Sequence, residues 1–251
     1  MRYYIFKQGP VYLVKILITL ILAMVFSIQL RFIMKNITHL NVKGVEILGN
    51  NIVDEKSIEY LSKITRLKNM FKIDIGKSKS LIETHPFIKA VGISVKNFVV
   101  SITVVEREPY VFLQTDKKLI VLDKEGYVLD DNNLMTDFDL PILTGIEEKI
   151  EYELGEKITN IEVVNGLKWF LVIPMDFWSQ VSEINIADTK KITIFTMDGI
   201  QIYVDYVKTL SKKFEILYNK LLELKEKKYH IEYFDLRFGD DLIYFEKKGG
   251  N

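Results

Sequence analysis

The chain has 251 residues, 34 Lys/Arg against 34 Asp/Glu, 48% hydrophobic residues and no cysteine, which excludes disulfides, thiolate chemistry and cysteine metal sites. Residues 1–35 carry five Lys/Arg and no acid, so the remainder carries 29 basic against 34 acidic residues. That mildly acidic balance argues against nucleic acid as the main partner, and the 216 residues after Lys35 suffice for one large or two small domains.

Residues 16–30 read ILITLILAMVFSIQL, fifteen positions without a charge, bracketed by Lys15 and Arg31. Ten of them are Leu, Ile, Val or Phe; at up to about −0.5 kcal/mol each near a bilayer centre, they supply on the order of −5 kcal/mol of insertion free energy. Counted over residues 11–34, the run is long enough to span a hydrocarbon core of roughly 30 Å, with Lys15 and Arg31 lifting their charges to the interfaces. A cleaved signal peptide is the rival reading, but Gln29-Leu30-Arg31-Phe32-Ile33-Met34-Lys35 offers no pair of small residues at cleavage spacing. We expect one uncleaved transmembrane helix after a tail at 1–10. Basic residues are nearly balanced across it, with a slight preference for an inside N-terminus.

Residues 40–47 partly alternate and meet Gly49-Asn50-Asn51, a strand followed by a turn. Asp54 can cap a short helix carrying Ile58, Leu61 and Ile64, and residues 80–83 form a second one stopped at Thr84-His85-Pro86. Val91, Ile93 and Val95 share one strand face, and Val100, Ile102 and Val104 repeat the pattern after a turn near Asn97-Phe98. The β-α-α-β-β order predicts a small α+β domain at 40–108, two helices on one face of a three-stranded sheet.

The run of Val-x-Ile-x-Gly-Asn, two short helices, Thr84-His85-Pro86-Phe87-Ile88 and a hairpin ending Val105-Glu106-Arg107-Glu108-Pro109 resembles a POTRA domain. More narrowly, it is similar to the form in FtsQ/DivIB bacterial cell-division proteins, where a strand pair and an Asp-x-x-Gly turn follow; here Asp123-Lys124-Glu125-Gly126 stands in that place. Phe98 departs from the proline that the family often has in the hairpin turn.

Strands are predicted at 110–114, 119–122 and 127–129, and Thr159-Asn160-Ile161-Glu162 fits a capping box before a helix with Ile161, Val164, Leu167 and Leu171 on one stripe. Strands at 181–186, 191–197 and 200–204 follow, the last two joined at Asp198-Gly199. Val207, Leu210, Phe214, Leu217, Leu221 and Leu224 give a helix over 206–228, whose heptad-like spacing fits either a coiled coil or a helix laid across a sheet. Strands at 231–236 and 242–245 close the chain, with a disordered tail at 247–251. Tyr233-Phe234-Asp235-Leu236-Arg237 is similar to a run before the last strand of the same family; Val204-Asp205 replaces a frequent glycine. The fold class is therefore α+β: one N-terminal transmembrane helix, a β-α-α-β-β POTRA domain, then a mixed β-domain with two helices at 109–246.

Catalytic patterns are weak. Gly76-Lys77-Ser78 lacks the earlier glycine of a phosphate loop, position 71 being Phe. His39, His85 and His230 have no metal-ligand spacing, and no Gly-x-Ser-x-Gly elbow occurs. Neither enzyme activity nor a cofactor nor a metal is expected. Lys63, Arg66, Lys68, Lys72, Lys77 and Lys79 cluster around Phe71, either a solvated face or a contact with anionic membrane or cell-wall polymers. The last strand is apolar for a chain-terminal sheet edge: partner capture and ordinary burial both fit the residues. The resemblance decides between them, because in this family the region after Asp-Leu-Arg is where FtsB/DivIC-type partners dock. It implies a partner-binding segment of Phe238, Gly239, Asp240, Asp241, Leu242, Ile243, Tyr244 and Phe245. It further implies a single-pass divisome scaffold at the septum, with cytoplasmic N-terminus and extracytoplasmic domains, that recruits FtsB/DivIC- and FtsL-type proteins. The alternative is a POTRA-bearing scaffold of another envelope transport or secretion assembly.

Overall fold

The computed structural model describes residues 9–131, 138–147, 149–188, 190–205, 210–227, 229–238 and 241–246. Residues 1–8 of the tail expected at 1–10, and the tail expected at 247–251, lie outside them. The chain divides into two compact units, Met1–Thr84 with Ile88–Glu106, and His85–Phe87 with Arg107–Asn251.

The first unit opens with α1, Gly9–Met34. Within Tyr12–Met34 an 18-residue window has a mean hydropathy of 2.4 and none of it is buried, as a helix long and apolar enough to cross a bilayer requires. After it come β1 (Gly44–Leu48), α2 (Glu55–Ser62), α3 (Ile75–Ile82), β2 (Ile88–Lys96) and β3 (Val99–Glu106). The sheet order is β1-β3-β2, with β1 parallel and β2 antiparallel to the central β3. Asp54 accepts from Lys56 N and Ser57 N to cap α2, as its position predicted. The second helix starts five residues earlier than expected, because Asp74 caps it by accepting from Lys77 N. Gly76-Lys77-Ser78 thus forms the first turn of an ordinary helix. Ile58, Ile64 and Ile82 are buried along with Val91, Val100, Ile102 and Val104.

Two details explain the motifs of this unit. Gly49 has φ +83°, and a Cβ there would stand 2.3 Å from Val104 O, so only glycine fits. Glu106 then closes the same turn, its carboxylate accepting from Asn51 N, Ile52 N and Val53 N at 2.8–2.9 Å. The β2–β3 hairpin has a two-residue loop, Lys96 pairing Val99. Asn97 (φ 52°) and Phe98 (φ 67°) both occupy the left-handed region that a type I′ turn demands. Proline, with φ near −65°, could not stand at Phe98 in this turn.

Among the described residues the second unit is a nine-stranded mixed sheet with three helices. In chain order it holds β4 (Val111–Gln114), β5 (Leu119–Leu122), β6 (Val128–Asp130), β7 (Ile142–Thr144), α4 (Ile161–Leu171), α5 (Met175–Trp178), β8 (Val181–Asn185), β9 (Ile192–Thr196), β10 (Gln201–Val204), α6 (Leu210–Glu226), β11 (Ile231–Asp235) and β12 (Ile243–Glu246). The order across the sheet is β12-β11-β10-β9-β8-β7-β4-β5-β6. β7 and the one-turn α5 were not expected; three and four residues are too few to show a period.

One core joins the helices to a single face of this sheet: Leu113, Ile120, Leu143, Ile184, Ile194, Ile202 and Phe234 meet Val163, Leu167, Phe170, Phe177, Phe214, Leu217, Leu221 and Leu224. The apolar seam of α6 is therefore a sheet-packing stripe, and α6 is the crossover between parallel β10 and β11. Val207 of that seam lies outside the described residues. The expected stripe on α4 is corrected in part, Leu167 being buried as expected. Asn160, not Thr159, caps the helix by accepting from Glu162 N and Val163 N. Ile161 (64% exposed) and Leu171 (56%) face outward, while Val163, Gly166, Leu167 and Phe170 face the core.

Candidate functional site

β12 ends the sheet among the described residues, pairing only with β11. In an antiparallel edge strand alternate residues direct N–H and C=O away from the sheet, a row of groups open to another strand. The side chains are as open as the backbone: Ile243, Tyr244 and Phe245 are 44%, 40% and 50% exposed. Three large apolar groups in a row, each worth at most about 1.5–3 kcal/mol on full burial, leave several kcal/mol unrealised at this edge.

The approach to β12 is rigidly built. Asp235, at the end of β11, takes a two-pronged contact from Arg237, Nε to Oδ1 at 2.9 Å and Nη2 to Oδ2 at 2.6 Å. It also accepts from Arg237 N at 3.1 Å. The guanidinium holds the Asp235 carboxyl below the usual carboxylate range, and the carboxylate in turn raises Arg237. Leu236 N donates to Tyr203 O at 2.9 Å, prolonging the β10–β11 pairing, and Lys213 of α6 donates through Nζ to Leu236 O. This explains the Asp-Leu-Arg run: aspartate and arginine lock the strand end while leucine, 2% exposed, enters the core.

Of the segment expected to bind a partner, the structure exposes Phe238 (53%), Asp241, Ile243, Tyr244 and Phe245, while Leu242 turns partly into the core. Gly239 and Asp240 lie outside the described residues. Residue alternation splits the strand: Phe245 stacks on Tyr233 (centroids 5.5 Å, planes at 7°), and Tyr233 meets Tyr203 at 5.2 Å. On the opposite face Tyr244 lies 6.0 Å from buried Phe234, and Lys220 of α6 is 5.8 Å from the Tyr244 ring. Burial, then neighbouring Tyr233, raises the Tyr203 hydroxyl pKa. Tyr203 and Tyr233 belong to this surface although the residue pattern had not marked them. The alternation within Ile231-Glu232-Tyr233 was their available signal.

A cavity of about 250 Å³ at the end of β7 is lined by Gly145, Glu147, Glu162, Asn165, Gly166 and Trp169, among others. No cluster of three or more His, Asp or Glu residues with metal-binding geometry occurs among the described residues.

An apolar helix long enough to cross a membrane, a three-stranded α+β unit and a large mixed sheet ending in an open strand define a protein of the POTRA-plus-β-domain class with one candidate membrane span. Comparison with known families gives the narrower assignment. The FtsQ-type POTRA domain matches residues 40–107, and the C-terminal domain of cell division protein FtsQ/DivIB matches residues 111–237. The chain is 31% identical over 192 residues to cell division protein DivIB of Clostridium tetani, covering 72% of this chain and 71% of that one. DivIB of Clostridium acetobutylicum is 26% identical over 193 residues (74% and 72%), and FtsQ of Syntrophotalea carbinolica 24% over 171 residues (64% and 58%). The chain belongs to the FtsQ/DivIB family of cell-division proteins. The family match ends at Arg237, so the candidate edge Ile243–Glu246 stands on its geometry.

Proposed function

We propose that this chain is a bitopic scaffold of the bacterial divisome that recruits FtsB/DivIC-type and FtsL-type partners to the septum by β-strand addition at β12. Its residues 11–34 span the membrane, with the tail at 1–10 cytoplasmic and the POTRA domain (40–108) and β-domain (109–246) extracytoplasmic. The work is recruitment, with no bond made or broken. Anchoring partners in one membrane raises their local concentration. Main-chain hydrogen bonds along the edge supply affinity, and the two strand faces that carry Phe245 and Tyr244 read alternate side chains of the incoming strand.

The single observation that carries this reading is β12 itself, a sheet-end strand exposing three consecutive large apolar residues. Adjacent residues direct their N–H groups to opposite sides of the strand, so one of the two proline variants, at Ile243 or at Tyr244, removes an outward edge donor. Either variant distorts the edge an incoming strand must pair with. Partner pull-down should be abolished while the circular dichroism of the chain stays nearly unchanged. Retained binding by both proline variants overturns strand addition at this edge.

A further inference from the structure

We propose that the cleft between the end of α1 and the single turn at Met70–Lys72 is a headgroup site for an anionic phospholipid of the bilayer that α1 crosses. The cleft measures about 320 Å³ and is lined by Arg31, Lys35, Met70, Phe71 and Ile73. Two cations and three apolar side chains around one opening match the two halves of a lipid at the interface.

The depth of this cleft is set by α1. The stretch Tyr12–Met34, 23 residues, is about 35 Å long at roughly 1.5 Å per residue, slightly more than a hydrocarbon core of about 30 Å. Arg31 and Lys35 therefore reach headgroup level. Asn69, 7% exposed, ties the turn to that level: its side-chain amide donates to Met34 O (3.1 Å) and Ile37 O (2.9 Å), while its oxygen accepts from Phe71 N (2.9 Å). The turn cannot leave the end of α1 without breaking these partly buried hydrogen bonds.

Its side chains suit that position. Phe71 is 45% exposed, Ile75 43% and Leu67 80%, a set of apolar groups that water does not favour but an interface does. Residues 63–79 carry six Lys/Arg and one acid, Asp74, whose carboxylate is engaged in capping α3. A guanidinium and an ammonium at one opening supply forked and point-like donors to a phosphate. Acyl chains would then follow the exposed surface of α1, with Phe71 beside the glycerol region.

This goes beyond strand addition and rests on α1 crossing the bilayer. The full chain is reconstituted in nanodiscs of phosphatidylcholine mixed with phosphatidylglycerol, and the lipids retained on it after detergent extraction are weighed against the bulk ratio. We expect phosphatidylglycerol to be enriched on the unaltered chain and the enrichment to fall at least fivefold in the double variant Arg31→Gln/Lys35→Gln. It should be unchanged in Lys63→Gln/Lys77→Gln, which removes two cations outside the cleft. A fluorophore on Phe71→Cys, the sole cysteine, should be shielded from aqueous iodide in the discs. Equal enrichment in both double variants, or full iodide access at position 71, overturns the site. Release of the unaltered chain from membranes by alkaline carbonate overturns the span as well, which separates the two failures.

Discussion

Arg107 and Asp123 show how one pair of side chains can hold a strand junction. Their side chains are 10% and 5% exposed and meet at 2.8 Å, with the guanidinium 3.5 Å from the centre of the Tyr127 ring. Asp123 also accepts from Glu125 N (2.8 Å) and Tyr127 N (2.9 Å), which shapes the turn containing Gly126. Removing one partner of a buried pair costs about 3–5 kcal/mol, since the other charge is stranded. Here Glu125, 3.6 Å from Arg107, keeps a second carboxylate nearby, so the lower end applies. Asp123→Ala should destabilise the chain by about 3 kcal/mol, lowering the melting temperature by roughly 10 °C in scanning calorimetry. A loss under about 1 kcal/mol would show that the pair is incidental. The Glu-Arg dipeptide was visible as a motif in the sequence, but its division of labour was not. Glu106 serves the turn after β1, and Arg107 serves Asp123, 16 residues on.

Helix α4 shows what one residue of register decides at the level of elements. The helix starts one residue later than a capping box at Thr159 would place it, with Asn160 as cap, and its buried face likewise lies one residue from most of the stripe read from Ile161, Val164 and Leu171. The core accepted the set with Val163, Leu167 and Phe170, and Gly166 lets the helix approach the sheet. A Cβ at 166 would stand 2.7 Å and 2.8 Å from the two methyls of buried Leu143. Losing the side-chain cap costs about 1 kcal/mol. Asn160→Ala should therefore lower stability by that amount and Thr159→Ala by less than about 0.5 kcal/mol, read by urea denaturation. The reverse order would restore Thr159 as the cap. By contrast, α6 was fully legible in its buried stripe, because four large side chains at 3- and 4-residue spacing leave only one face to bury.

On the scale of the whole molecule, anchoring and orientation govern which partners can be met. Charges flank α1 almost evenly, so topology must be measured. The absence of native cysteine makes that direct. Lys117→Cys, exposed in the β4–β5 turn, should react with a membrane-impermeant maleimide in spheroplasts, and Lys7→Cys should react only after permeabilisation. The opposite pattern would invert the proposed topology and place β12 out of reach of extracytoplasmic partners.

What the chain carries locally was readable from residues alone: the apolar span, the β-α-α-β-β order, the Asp198-Gly199 hairpin and the seam of α6 all follow from composition and period over neighbouring positions. The family resemblance rested on that same order of features. Strand order did not follow, since β4 pairs with both β5 and the distant β7, and nothing in either strand names its neighbour. Nor could residues tell that β12 would lie at the end of the sheet, or that Asn69 would fasten a turn to the end of α1. Those contacts join positions far apart in the chain, and only burial and backbone pairing in the folded state select them.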